Sequence, residues 1–151
     1  MSNKMWIGVD LDGTLAESVY GGIAARQIGN PIASMLTRVK QWIDDDKYEV
    51  RIFTARAADS AQIPIIQRWL DDNGIGGLKI THAKDGNLAL IFDNIAIRID
   101  ENTGKICEDC IKYLNQQKFK YTATPRIQAM AYVSGMTGNN YSADGFMQTD
   151  C

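Results

Sequence analysis

Two aspartates two residues apart, Asp10 and Asp12, follow the short apolar run Met5 to Val9, and Asp93 follows a second such run, Leu88 to Phe92. Between them, Thr54 closes the run Glu49 to Phe53 and Lys84 comes shortly after Leu78 to Thr81. One acid after one strand means little, because turns favour Asp. A series of acids, a hydroxyl and a cation at successive strand ends means more, since a parallel sheet gathers its carboxyl ends at one edge and binds ligands there. Carboxylates from Asp10 and Asp93, with oxygens of the loop after Asp10, form a hard-oxygen set suited to Mg²⁺. A carboxylate so placed can attack phosphorus, and Asp12 can protonate a leaving oxygen and then deprotonate water. Thr54 can donate to a phosphoryl oxygen, and Lys84 can offset the crowded negative charge. Without a cation, three acids would repel a phosphate.

These residues need a scaffold, and the pattern supplies one. Met5 to Val9 and Glu49 to Phe53 read as buried strands, as do Leu78 to Thr81 and Leu88 to Phe92, with Ile95 to Ile99 as a fifth. Pro31 opens a helix whose apolar face is Ile32, Met35, Leu36, Val39, Trp42 and Ile43, and Asp44 to Asp46 end it. Asp59 or Ser60 caps a second helix with Ile63, Ile66, Trp69 and Leu70 on one face, stopped at Asn73-Gly74. Strands alternating with helices predict a three-layer, Rossmann-like α/β fold, a parallel sheet with helices on both faces. Residues 17–30, with Gly21, Gly22 and Gly29, read as a loop or small flap.

Composition bounds the rest. An apolar fraction of 45% and a charged fraction of 23% suit a soluble domain with a real core. A formal charge of −2 gives no electrostatic case for a nucleic-acid partner. No run approaches the roughly 18 apolar residues of a membrane span, and the N-terminus lacks a signal-peptide pattern, so a cytoplasmic location is expected. Cys107 and Cys110 form a C-x-x-C pair, but His82 is the sole histidine and a structural zinc site wants four ligands. Both thiols are therefore read on a helix spanning 105–117. From residue 116 the chain turns rich in Gly, Ser, Thr and Asn, with one strand-like patch at Ile127 to Val133. The organisation expected is a catalytic domain over 1–115 and a C-terminal extension over 116–151, packing on that domain or joining copies into a homo-oligomer.

Asp10-Leu11-Asp12-Gly13-Thr14-Leu15 after an apolar strand resembles the first motif of the haloacid dehalogenase-like (HAD) phosphatase superfamily. Arg51-Ile52-Phe53-Thr54 resembles its second motif, Lys84 its third and Ile91-Phe92-Asp93-Asn94 its fourth. Gly29-Asn30-Pro31 with Val39-Lys40-Gln41-Trp42, Thr54-Ala55-Arg56 and Asn102-Thr103-Gly104 resemble the small capless HAD hydrolases of phages and bacteria. The resemblance covers Met5 to Lys105. It implies Asp10 as nucleophile, Asp12 as general acid and base, and Thr54 and Lys84 as holders of the phosphoryl group. Mg²⁺ would be bound by Asp10, the backbone carbonyl of Asp12, and Asp93, while Gly13, Thr14, Ala55 and Arg56 would meet the substrate. Two departures stand out: Asn94 replaces a common second acid, and the short spacing from Lys84 to Asp93 leaves Lys79 as an alternative cation.

The stretches between the motifs are filled by single helices and the flap, so no full cap domain is expected and the site should be open. Tyr20, Arg26 and Arg56 are candidate substrate contacts, each with a plain structural alternative, and His82 beside a strand end is more simply a hydrogen-bonded structural residue. Tyr132 to Gly138 is faintly similar to the glycine loop of nucleoside deoxyribosyltransferase-like domains, but the chain is too short beyond it to hold one. The leading expectation is a Mg²⁺-dependent phosphohydrolase acting through an aspartyl-phosphate on a small phosphorylated metabolite, such as a nucleotide or nucleotide-derived molecule. A protein that sequesters a phosphorylated ligand without turnover is the alternative. An end-processing phosphatase on nucleic acid would want a basic track that the sequence lacks.

Overall fold

The computed structural model describes residues 4–116. The chain divides into two compact units, the second beginning at Ile97. The expected extension, with its strand at Ile127 to Val133 and its loop at Tyr132 to Gly138, lies outside the described residues.

The first unit is built on four parallel strands, β1 (Trp6–Val9), β2 (Glu49–Phe53), β3 (Lys79–Thr81) and β4 (Leu88–Phe92), in the order β3-β2-β1-β4. Helix α1 (Ala33–Asp45) joins β1 to β2, and α2 (Ile63–Asp72) joins β2 to β3. The result is an all-parallel α/β sheet compatible with a Rossmann-like fold. In register, Ile7 lies beside Val50 and Val9 beside Ile52, so these four share one face. Met35 and Val39 of α1 and Ile66 and Leu70 of α2 join them in a single apolar cluster.

Helices on both faces were expected; both helices of this unit lie on one. The reason is topological. Right-handed crossovers that move twice in the same direction across a sheet place their helices on the same side. The return from β3 to β4 is the short segment 82–87, too short for a helix, and it crosses the opposite face. There Asp85 accepts from Trp6 Nε1–H at 2.7 Å and from Arg51 Nη1–H at 3.2 Å. Arg51 lies over the Trp6 ring, 4.6 Å from its centroid, and Phe53 meets that ring edge-on. An aromatic and cationic stack therefore buries the wholly inaccessible Trp6 where a helix would otherwise do so.

Helix α1 starts at Ala33, two residues later than Pro31 suggested, because Pro31 bridges Ala16 and the Ile32 N–H donates to the Leu15 carbonyl. Asp46 closes it in the left-handed region and pairs with Lys4. Asp59 does act as a cap: its carboxylate accepts from the Ala61 N–H at 2.9 Å and starts the 3-10 turn Ser60–Gln62 that leads into α2. The fifth strand over Ile95 to Ile99 does not form. Asp93 Oδ1 captures the Ile95 N–H at 2.7 Å in an Asx turn that breaks the ladder beyond β4.

Within the second unit, Ile99 bridges Ile106 antiparallel across a turn, and α3 (Glu108–Gln116) follows. Cys107 stands just before α3 and Cys110 within its first turn, so the two cysteines do not share the helix expected over 105–117. Among the described residues no helix is long and apolar enough to cross a membrane. Among the described residues, the segments between the strands of the first unit hold α1, α2 and two 3-10 turns.

Candidate active site

The carboxyl edge of the sheet brings most of the singled-out residues together. Asp10 follows β1 and extends its pairing with β4 by one rung, its N–H donating to the Phe92 carbonyl at 2.9 Å. The next turn is wound around Leu11, whose carbonyl accepts from the N–H groups of Leu15 at 3.0 Å and Ala16 at 2.8 Å. Leu11, Leu15 and Ala16 are wholly buried and anchor the turn in the core, which leaves the flanking acids at its polar side. Gly13 is required: its φ is +87°, and a Cβ there would stand 2.6 Å from Asn94 Nδ2 and 2.9 Å from Ser18 Oγ.

Asp10 is the electrostatic centre. Its carboxyl is pushed up to about 6, first by burial and then by the charge of Asp93; the Thr14 hydroxyl and the Leu11 backbone oppose the shift, and Asp12 adds a smaller push. Thr14 Oγ1–H is shared between Asp10 Oδ2 at 3.2 Å and Asn94 Oδ1 at 3.3 Å, and the Asn94 N–H donates back to Thr14 Oγ1 at 3.0 Å. Thr14 thus ties the β1 loop to the β4 loop.

Asp12 has a different environment. Arg56 Nε–H and Nη2–H each reach one of its carboxylate oxygens at 2.7 Å, a bidentate pair. Arg56 is only 1% exposed, and its Nη1–H also donates to Gln62 Oε1 at 3.0 Å. Nη2 reaches the Gln27 carbonyl as well, and Gln62 Nε2–H holds the Ile23 carbonyl at 3.1 Å. The flap is therefore hung from the same guanidinium that holds Asp12. Its neck is closed by Glu17 N–H to the Asn30 carbonyl at 2.8 Å and by Trp69 Nε1–H to the Gly29 carbonyl at 2.9 Å.

Arg56, expected against substrate, thus turns inward. Thr54 is buried at the end of β2; its N–H donates to the Thr81 carbonyl at 3.0 Å, and its hydroxyl oxygen caps the next turn by accepting from the Arg56 N–H at 3.2 Å. Ala55 is exposed between them. Lys84 is exposed on the crossing segment and makes no ion pair among the described residues, while its neighbour Asp85 is fixed to Trp6 and Arg51. Lys79 pairs with Glu49 at 2.8 Å from the start of β3, opposite the edge that carries Asp10, which removes it as the alternative cation. His82 and Tyr20 are exposed, and Arg26, at φ +57°, stands 4.0 Å from Asp59.

Gln62 escaped the sequence reading, since one glutamine before an apolar helical face carries no signal of burial. Ser34 and Arg38 escaped it too, being ordinary polar positions of an amphipathic helix, yet they line a cleft with Thr14, Asp93 and Asn94.

The same edge could hold a metal. Among the described residues no group of three His, Cys, Asp or Glu side chains converges, and Asp12 is paired with Arg56. Two carboxylates, Asp10 and Asp93, remain, and their mutual repulsion is what a hard cation would relieve. Mg²⁺ suits such a set, since it keeps several waters and takes one or two carboxylates with substrate oxygens. The chain matches no family model, no curated protein and no solved structure.

Proposed function

We propose that the protein is a Mg²⁺-dependent phosphohydrolase that uses Asp10 as nucleophile on a small phosphorylated metabolite, such as a nucleotide or nucleotide-derived molecule. The observation that carries this reading is the half-buried Asp10 carboxyl at the end of β1, with Asp93 beside it and Asp12 oriented two residues on. It also agrees with the resemblance of the four motifs to HAD phosphatases.

In this mechanism Asp10 Oδ attacks phosphorus and the bond to the ester oxygen breaks, leaving an aspartyl-phosphate. Asp12 delivers the proton that the leaving oxygen needs. It then takes one from a water that attacks the same phosphorus, which frees phosphate and restores the Asp10 carboxylate. Arg56 positions Asp12, and each carboxylate oxygen keeps a second lone pair for the proton. Thr54 and Lys84 hold the phosphoryl oxygens. Mg²⁺, held by Asp10, Asp93 and the Asp12 carbonyl, would supply charge neutralisation between the acids and the phosphate.

A second reading, a protein that holds a phosphorylated ligand without turnover, draws on one observation. Both Asp12 oxygens are engaged by Arg56, as suits a structural acid. Phosphate release from a panel of nucleotides and sugar phosphates, with Mg²⁺ and with EDTA, separates the two. The hydrolase reading expects Mg²⁺-dependent release that Asp10→Asn abolishes while the chain stays folded. No release from any member, together with ligand-induced thermal stabilisation, would transfer the assignment to the binding protein.

A further inference from the structure

Beside the acid pair, an open cleft of about 470 Å³ runs between the β4 loop and the first turns of α1. Met35 and Phe92 contribute an apolar wall, while Asp93 and Asn94 on one side and Ser34 and Arg38 on the other make a polar rim. Ser34 and Arg38 are four apart on α1 and so share a helix face. Arg38 is exposed and makes no ion pair among the described residues, although Asp93 lines the same cleft. Among the described residues it is also the one basic residue in the lining. The position after Asp93 is a neutral Asn94, tied to Thr14, so the rim opposite Arg38 carries a single negative charge.

We infer that this cleft receives the part of the substrate beyond its reacting phosphoryl group, and that Arg38 selects a phosphate ester carrying a second anionic group. The inference rests on the hydrolase reading and sharpens it from any small phosphate ester to a bis-anionic one. Thr14 bonds Asp10 and, with Asp93, lines the cleft, so the mouth of the cleft adjoins a phosphoryl group held at Asp10 and lies within reach of a remainder whose ester oxygen faces Asp12. An uncharged remainder gains only the apolar wall there. A remainder bearing a phosphate or carboxylate gains the forked donors of Arg38 and the Ser34 hydroxyl, a charge-assisted contact strong enough to set preference.

The test compares turnover of fructose 1,6-bisphosphate and adenosine 3′,5′-bisphosphate with that of their matching monophosphates and of p-nitrophenyl phosphate. The full chain is assayed with Mg²⁺ as wild type, Arg38→Ala and Arg38→Lys. Arg38 is exposed, so neither variant endangers the fold. The inference expects wild type to favour at least one bisphosphate over its monophosphates by about tenfold in kcat/KM, chiefly through KM. Arg38→Ala should erase that preference, losing about ten times more on the bisphosphate than on p-nitrophenyl phosphate, and Arg38→Lys should restore part of it. Equal losses on all substrates, or a wild type without preference for either bisphosphate, would overturn the Arg38 assignment and leave the hydrolase standing. No turnover of any substrate by wild type would overturn the hydrolase reading, and this inference with it.

Discussion

The Arg56 guanidinium is the interaction whose removal should be felt most widely. It is 1% exposed, makes two 2.7 Å bonds to Asp12 and a 3.0 Å bond to Gln62, and reaches two flap carbonyls. Breaking a buried ion pair by removing one partner costs about 3–5 kcal/mol, because the other charge is left uncompensated. The Asp12 side chain is 21% exposed, so in Arg56→Met it can turn partly to water, which puts the expected loss near the lower end, about 3 kcal/mol. Asp12→Asn strands the inaccessible guanidinium but keeps one acceptor oxygen, and about 2–3 kcal/mol is expected. The two share one interaction, so the double variant should be less destabilised than their sum by about 2 kcal/mol. Urea unfolding at pH 7, followed by tryptophan fluorescence, measures all four corners of the cycle; Trp6, Trp42 and Trp69 all report on the first unit. Hydrogen exchange across residues 17–30 should quicken in Arg56→Met and far less in Asp12→Asn, since only the former releases the flap. A coupling below about 0.5 kcal/mol, or an Arg56→Met protein within about 1 kcal/mol of wild type, would refute the reasoning.

Three further outcomes follow from the site and its supports. The Asp10 carboxyl lies at about 6 in the folded chain, above its unfolded value near 3.8, so the folded state binds the extra proton between those values and stability falls as pH rises through that window. Asp10→Asn should therefore be more stable than wild type by about 1–2 kcal/mol at pH 7.5 in EDTA, the full shift being discounted for partial exposure, and the gap should close towards pH 4 in thermal melts. Glu49 is held down to about 2, chiefly by its bond from Arg51, so its contribution is present above its ordinary value and is lost as pH falls through about 2. Glu49→Gln should flatten the acid limb of the stability curve between pH 4.5 and 2 by about 1 kcal/mol, since the side chain is partly exposed and water screens its ion pairs. Gly13→Ala should cost about 1–3 kcal/mol and displace Asn94, read as a change in the Asn94 side-chain amide resonances by NMR.

The sequence by itself determined the four strands, both helices of the first unit and the edge at which Asp10, Asp12, Thr54 and Asp93 emerge. These are local facts: apolar runs and helical periodicity act over a few residues, and parallel connections carry each strand end to the same side of the sheet. The late start of α1 and the missing fifth strand were not legible, because each was decided by one competing partner, Ala16 for Pro31 and the Asp93 carboxylate for the Ile95 amide. Only the tertiary structure decided which charges meet. Arg56 and Asp12 are 44 residues apart, and nothing in either neighbourhood says that the guanidinium turns from solvent to a buried clamp. The placement of α1 and α2 on the face opposite Trp6 is of the same kind. Periodicity shows that a helix has an apolar face, but the direction of the chain across the sheet decides which side that face covers. Pairing between charges and placement of layers depend on contacts distant in sequence, and those exist only once the chain has closed on itself.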